Sequence, residues 1–127
     1  MIVDKKPKKI LVVDDDPGLI KLVAELLKSK AFDVVTAADG LDCMVMVKKE
    51  KPDLIVLDIM MPEINGYNVC RNIKFDKEFK ETPILLLTSR DQELDPNIGQ
   101  MMNIDYLHKP LNRELFFEKI NQLLGEI

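Results

Sequence analysis

An α/β fold with a parallel β-sheet is the fold class that the sequence predicts. Five short apolar runs alternate with segments whose apolar residues recur at helical spacing. Strands that alternate with helices build βαβ units, and these units place the strands side by side in a parallel sheet. The 127 residues, of which 46% are hydrophobic and 31% charged, suit one globular domain over residues 1–127.

The first strand and helix are predicted over "KILVVDDDPGLIKL". Residues 9–13 are apolar at consecutive positions, as expected for a strand that is covered on both faces. Asp16 is a suitable N-cap, and Pro17 stands where the first helical position tolerates proline. The helix then repeats its apolar residues at helical spacing: Leu19, Leu22, Val23, Leu26 and Leu27.

The second and third strands are predicted over residues 33–37 and 53–58. Asp39 is expected to cap a second helix over 40–49, and Asn65 is expected to cap a third helix. The expected inward residues are Leu41, Met44, Val45 and Met46 or Val47 in the second helix, and Val69, Cys70 and Ile73 in the third.

The fourth and fifth strands are predicted over residues 83–89 and 105–109. Between them, over 91–103, the helical signal is weak because a proline and a glycine interrupt it. Asn112 is expected to cap the last helix, whose inward residues are predicted to be Leu115, Phe116, Ile120, Leu123 and Leu124.

The charge and the apolar runs exclude several classes of protein. A net charge of −4 argues against nucleic acid or an anionic membrane as the main partner. No apolar run approaches the length of a spanning helix, and the N-terminus lacks the apolar core of a signal peptide, so we expect a cytoplasmic protein. Cys43 and Cys70 lack metal-ligand spacing and are expected to be small buried hydrophobic residues.

Polar residues follow the predicted strands at the point where each strand ends. Asp14 and Asp15 follow the first strand, Asp58 ends the third, Thr88 lies near the end of the fourth, and Lys109 ends the fifth. Ligands of open α/β sheets bind at this carboxyl edge. Three carboxylates suit Mg²⁺, which binds one or two carboxylates and keeps waters that a phosphate can replace. A carboxylate beside a cation also suits phosphoryl transfer.

Four segments together resemble the receiver domain of two-component response regulators, similar to the chemotaxis regulator that consists of a receiver alone. They are "ILVVDDD", "DLIVLDIMMPEINGYNVC", "PILLLTSR" and "DYLHKPL". The resemblance covers residues 8–124. It implies a flavodoxin-like, doubly wound sheet of five parallel strands in the order 2-1-3-4-5, with five helices on its two faces.

The resemblance also implies roles for the residues of the site. Asp58 would be the phosphoacceptor. Asp15 would bind Mg²⁺ directly, and Asp14 would bind it mainly through water. The backbone carbonyl of Met60 would be a further metal ligand. Thr88 would contact the phosphoryl group.

Separate predictions concern three residues in the fifth strand and in the turn after it. The resemblance implies that Lys109 pairs with the phosphoryl group, that the Lys109–Pro110 bond is cis, and that Tyr106 is an aromatic switch whose rotamer follows Thr88. His108, the only histidine, shares the strand parity of Tyr106. We therefore expect a partly exposed, helix-facing histidine that points away from the acidic site.

The implied function is signalling and not catalytic turnover. The receiver would take a phosphoryl group from a histidine kinase or phosphotransfer protein and would catalyse its own phosphorylation and dephosphorylation. Phosphorylation would change the output face, defined as the predicted helix over 91–103, the fifth strand and the last helix. The sequence names neither kinase nor output partner. It also leaves open whether the output face forms a homodimer and whether the chain is a fragment of a longer regulator.

Three alternatives stay open from the residues. A Mg²⁺-dependent phosphatase of the haloacid-dehalogenase type also uses an aspartate nucleophile, but it usually carries this residue on its first strand. A flavodoxin would need a phosphate-binding loop after the first strand, where the acids would repel a phosphate. A receiver-like interaction module that works unphosphorylated would not need the full set of acids, hydroxyl and lysine.

Overall fold

The five apolar runs form five parallel strands in a computed structural model of the chain, which describes residues 6–59, 65–89 and 103–125. The sheet has the order β2-β1-β3-β4-β5, as predicted. The strands are β1 (Lys9–Val13), β2 (Asp33–Ala37), β3 (Leu54–Asp58), β4 (Ile84–Thr88) and β5 (Ile104–His108).

The described residues contain four helices, where the sequence predicts five. They are α1 (Pro17–Ser29), α2 (Gly40–Glu50), α3 (Gly66–Lys74) and α4 (Arg113–Leu124). The fifth expected helix, between β4 and β5, falls mainly on residues 90–102, which lie outside the described residues.

The four helices begin at the predicted N-caps. The side chains of Asp16, Asp39, Asn65 and Asn112 each accept a hydrogen bond from a backbone N–H group in the first turn of the helix that follows. Such bonds satisfy donors that have no partner within the helix. The caps therefore fix where each helix starts after its strand.

Two apolar clusters cover the two faces of the sheet. One cluster joins the sheet to α2 and α3, and the other joins it to α1 and α4. Successive residues of a strand enter opposite clusters, as Ile55 and Val56 do. β3 and β4 are buried along their whole length, which explains their continuous apolar sequence.

Four residues that were expected to face inward are exposed: Leu22, Leu41, Val45 and Leu115. In α2 the buried residues are Gly40, Cys43 and Val47. Of the expected inward residues of this helix, Val47 is therefore buried, and Met44 and Met46 are half-buried. The apolar residues of this helix surround much of its circumference, and helical spacing alone therefore does not select the buried face.

The two cysteines are free and buried, as expected. Burial raises the pKa of the Cys43 thiol to about 12 and that of the Cys70 thiol to about 11. Both thiols therefore stay protonated near neutral pH and serve as small apolar side chains.

Among the described helices, none combines the length and the apolar character that a membrane crossing requires.

Candidate phosphoryl and metal site

The sheet order gathers the predicted site residues at one edge. β1, β3, β4 and β5 are consecutive neighbours in the sheet, and all four run in the same direction. Asp14 follows β1, Asp58 ends β3, Thr88 ends β4 and Lys109 follows β5. Parallel strands end at a common edge, so side chains that are far apart in sequence meet there.

Three carboxylates converge at this edge. Asp14, Asp15 and Asp58 each offer one carboxylate oxygen, and these oxygens lie within 4.8 Å of one another. Asp14 and Asp58 are buried, with 1% and 4% of their surface exposed, whereas Asp15 is exposed. Two buried acids and one exposed acid leave the cluster open to solvent on one side.

The donor set fits Mg²⁺. The Oδ2 atom of Asp14 is buried and has no hydrogen-bond partner among residues 6–59, 65–89 and 103–125. A buried carboxylate oxygen without a donor is costly, and a hard cation would satisfy it. The residues that would hold the ion are Asp14, Asp15 and Asp58. The backbone carbonyl of Met60 stays a prediction because Met60 lies outside the described residues.

Lys109 brings a positive charge into this cluster. Its Nζ atom donates a hydrogen bond to Asp58 Oδ2 at 3.1 Å and lies 3.9 Å from Asp14 Oδ2. The ammonium therefore bridges the acids that follow β1 and end β3. One ammonium group beside three carboxylates leaves the cluster with excess negative charge, which favours a cation.

Burial raises the pKa of the Asp14 carboxyl from 3.8 to about 7. The hydrogen bond from the backbone N–H of Asp16 to Asp14 Oδ1, at 3.0 Å, opposes this rise. The charge of Asp58 adds to it, and the charge of Lys109 again opposes it. A divalent cation would favour the ionised form, so its binding would release the proton that Asp14 holds.

The third acid of the "DDD" run has a structural task. Asp16 Oδ1 accepts hydrogen bonds from the backbone N–H groups of Gly18 at 2.9 Å and Leu19 at 3.4 Å. This is the predicted helix cap. The three consecutive acids therefore divide into two members of the cluster and one cap.

A glycine holds the end of β3 close to α3. The backbone N–H of Gly66 donates to the carbonyl of Ile59 at 2.8 Å. A Cβ atom at Gly66 would lie 2.6 Å from the backbone oxygen of Asp58 and 2.6 Å from the Cα of Ile59. Only glycine permits this close approach beside the candidate acceptor.

Thr88 and His108 meet at the same edge of the sheet as the acids. Thr88 is fully buried, and its Oγ1 atom lies 2.8 Å from Nδ1 of His108. His108 shares the parity of Tyr106, as expected, and it is exposed where partial exposure is expected from the sequence. The expectation that it points away from the site is wrong in one respect, because it contacts Thr88. Thr88 and His108 are register partners on β4 and β5, so their side chains share a face.

The turn after β5 contains a cis peptide bond between Lys109 and Pro110, as the resemblance implied. The backbone N–H of Lys109 donates to the carbonyl of Thr88 at 2.7 Å. The two residues whose side chains were expected to contact a phosphoryl group are therefore joined through the backbone.

The receiver domain of response regulators is the family that matches residues 10–121. The chain belongs to this family. Its membership decides against the phosphatase and flavodoxin alternatives, since the matched family is that of two-component signalling.

Curated relatives of this receiver fall into short and long proteins. PilG of Pseudomonas aeruginosa is 38% identical over 120 residues, which cover 94% of this chain and 84% of PilG. The alkaline phosphatase synthesis transcriptional regulatory protein PhoP of Bacillus subtilis is 42% identical over 106 residues, which cover 83% of this chain and 43% of PhoP. The receiver thus spans less than half of the longer relative.

Solved structures share the fold. The chemotaxis protein CheY4 of Vibrio cholerae has a TM-score of 0.81 at 29% identity, covering 92% of this chain and 98% of that one. The receiver domain of the sensor histidine kinase PA1611 of P. aeruginosa has a TM-score of 0.83 at 27% identity, covering 94% and 99%. That structure holds a magnesium ion in its active-site cleft.

Proposed function

We propose that this receiver accepts a phosphoryl group on Asp58 while Asp14, Asp15 and Asp58 hold Mg²⁺. The observation that carries the proposal is the convergence of three carboxylate oxygens within 4.8 Å, with the Lys109 ammonium 3.1 Å from Asp58. This arrangement offers a nucleophile, a place for a cation and a fixed positive charge at one point.

The phosphoryl donor is a histidine kinase or a histidine phosphotransfer protein. An oxygen of the Asp58 carboxylate attacks the phosphorus atom of the donor's phosphohistidine. The new O–P bond forms as the P–N bond breaks, and the departing imidazole takes a proton from solvent. Water later hydrolyses the acyl phosphate, which releases inorganic phosphate and restores the carboxylate. The receiver thus promotes its own phosphorylation and dephosphorylation without being a turnover enzyme.

Lys109 and Thr88 stabilise the transferred group. The Lys109 ammonium, which pairs with Asp58 before transfer, neutralises a phosphoryl oxygen afterwards. The Thr88 hydroxyl donates a hydrogen bond to another phosphoryl oxygen. When bound, Mg²⁺ supplies further charge neutralisation at the transferring group, as in other phosphoryl transfers.

The signal passes through Thr88 to Tyr106 and then to the output face. Tyr106 is half-buried and packs against the apolar cluster of α2 and α3. When Thr88 moves toward the phosphoryl group, Tyr106 changes its rotamer and the output face changes shape. An output partner, or a second copy of the receiver, would bind the changed face.

The chain acts as one receiver domain over residues 1–127 in the cytoplasm. The free thiols of Cys43 and Cys70 support this location, because thiols stay reduced there. The same module would serve in a stand-alone regulator, such as one similar in size to PilG, or within a longer one.

Incubation with Mg²⁺ and acetyl phosphate tests the proposal. Intact-mass measurement should show the addition of one phosphoryl group, and the addition should disappear in Asp58→Asn. Asp33→Asn is a matched control, because Asp33 is an exposed acid at the start of β2. Phosphorylation that persists in Asp58→Asn, or that is absent from the unmodified protein, would contradict the proposal.

A further inference from the structure

The contact between Thr88 and His108 joins a buried residue to an exposed one. Thr88 ends β4 with no exposed surface, and His108 ends β5 as an exposed residue whose contact with Thr88 is partly buried. The 2.8 Å separation of Oγ1 and Nδ1 is a good hydrogen-bond distance. Since the two residues are register partners, the sheet itself holds their Cα atoms in place.

The direction of this hydrogen bond follows from the needs of the hydroxyl. A threonine hydroxyl has one proton to donate, and a neutral imidazole has one nitrogen that accepts. In the part of the chain that the structure describes, His108 Nδ1 is the only hydrogen-bond partner of Thr88 Oγ1. A buried hydroxyl proton without an acceptor is costly, so the arrangement that leaves no buried donor unpaired has Thr88 donating and Nδ1 accepting. In that arrangement the ring proton of His108 is on Nε2.

We infer that His108 is a positioning residue that holds the Thr88 hydroxyl until phosphorylation. The inference rests on the proposed function, in which Thr88 donates to a phosphoryl oxygen. One hydroxyl proton cannot satisfy the ring and the phosphoryl group together. Phosphorylation therefore breaks the hydrogen bond between Thr88 and His108. The free energy of this hydrogen bond opposes phosphorylation.

His108 would therefore change its contacts on phosphorylation of the site, as Tyr106 does. The two residues lie on the same face of β5, two positions apart. Loss of the bond releases the His108 ring on the strand that belongs to the output face. Conversely, any contact that keeps the ring on Thr88 would disfavour the phosphorylated state by the same factor.

Three substitutions of His108 test the inference through the affinity for beryllofluoride, a phosphoryl mimic, in the presence of Mg²⁺. His108→Leu removes the acceptor and keeps an apolar bulk. His108→Gln keeps a polar side chain but moves its oxygen away from the position of Nδ1. His108→Asn keeps an acceptor oxygen close to that position. The Leu and Gln variants should bind about fivefold more tightly than the unmodified protein, whereas Asn should restore its affinity.

Equal or weaker binding by the Leu and Gln variants would overturn the inference. So would an Asn variant that behaves like Leu, because a merely structural role for the ring would not distinguish the two. Failure of every protein, including the unmodified one, to bind beryllofluoride would instead contradict the proposed function.

Imidazole ¹⁵N NMR of the unphosphorylated protein tests the hydrogen bond separately from that function. In the neutral ring, Nδ1 of His108 should be the unprotonated, accepting nitrogen, and Thr88→Val should shift its resonance. A proton on Nδ1, or a resonance that is unaffected by Thr88→Val, would overturn the inference even if beryllofluoride binds.

Discussion

The charged groups at the two edges of the sheet differ in their exposure and in their pairing. At the amino edge, the backbone N–H of Lys9 donates to Asp53 Oδ2 at 2.7 Å, and Lys9 Nζ lies 3.7 Å from Glu50 Oε2. These groups are partly or fully exposed. At the carboxyl edge, three acids share one lysine, and two of the acids are buried. Solvent therefore stabilises the charged groups at the amino edge, whereas the buried negative charge at the carboxyl edge favours the binding of a cation.

The largest effect is expected where the backbone packs beside Asp58. Gly66→Ala would place a methyl group 2.6 Å from backbone atoms of Asp58 and Ile59, which cannot move away as a flexible side chain can. The free energy of unfolding should fall by about 3 kcal/mol, as measured by denaturant titration.

Gly18→Ala is the matched control for Gly66. Its Cβ atom would meet only Asp16 Oδ1, at 3.3 Å, which belongs to a side chain. The change in stability should stay within about 1 kcal/mol. Equal losses in the two variants would show that the tight approach at Gly66 is unimportant.

Asp14→Asn should stabilise the protein when Mg²⁺ is absent. The folded state holds the Asp14 proton with a pKa of about 7, compared with 3.8 as the ordinary value. The free energy of unfolding therefore falls as the pH rises from about 4 to about 7, and Asn escapes this loss. Thermal unfolding should show a gain of about 2 kcal/mol above pH 7 that disappears below about pH 4.

Addition of Mg²⁺ sharpens this test. The unmodified protein should gain stability by binding the ion, whereas Asp14→Asn should gain less because it offers one carboxylate fewer. An Asn variant that is less stable than the unmodified protein without Mg²⁺ would contradict the excess of buried charge at this edge.

Lys109→Met should have a smaller effect in the opposite direction. It removes the ammonium that lies 3.1 Å from Asp58 and 3.9 Å from Asp14. Chemical denaturation without Mg²⁺ should show a loss of about 1 kcal/mol, and NMR titration should show a further rise in the pKa of Asp14. A pKa of Asp14 that stays unchanged would contradict the contact between Lys109 and the acids.

Lys9→Met at the amino edge should have the smallest effect. The ion pair with Glu50 is partly exposed, and the hydrogen bond to Asp53 comes from the backbone and survives the substitution. Denaturant titration should show a change of less than about 0.5 kcal/mol. A loss as large as that of Lys109→Met would remove the distinction between the two edges.

The comparison also shows how far sequence reasoning reaches. The predicted bounds of β1 and β2 are confirmed, and so are the strand order and the four N-caps. Leu41 and Val45 were wrongly placed in the core, because helical spacing in α2 fits more than one buried face. The strand-end acids could be predicted to converge, but not how deeply each would be buried.

The sequence by itself determined the elements, their order and the residues that end the strands. These depend on local rules, such as caps, apolar runs and the shared direction of parallel strands. Only the tertiary structure decided that Thr88 meets His108 and that one oxygen of Asp14 is buried without a donor in the described part of the chain. Both depend on the register and depth of neighbouring strands, which no single segment specifies.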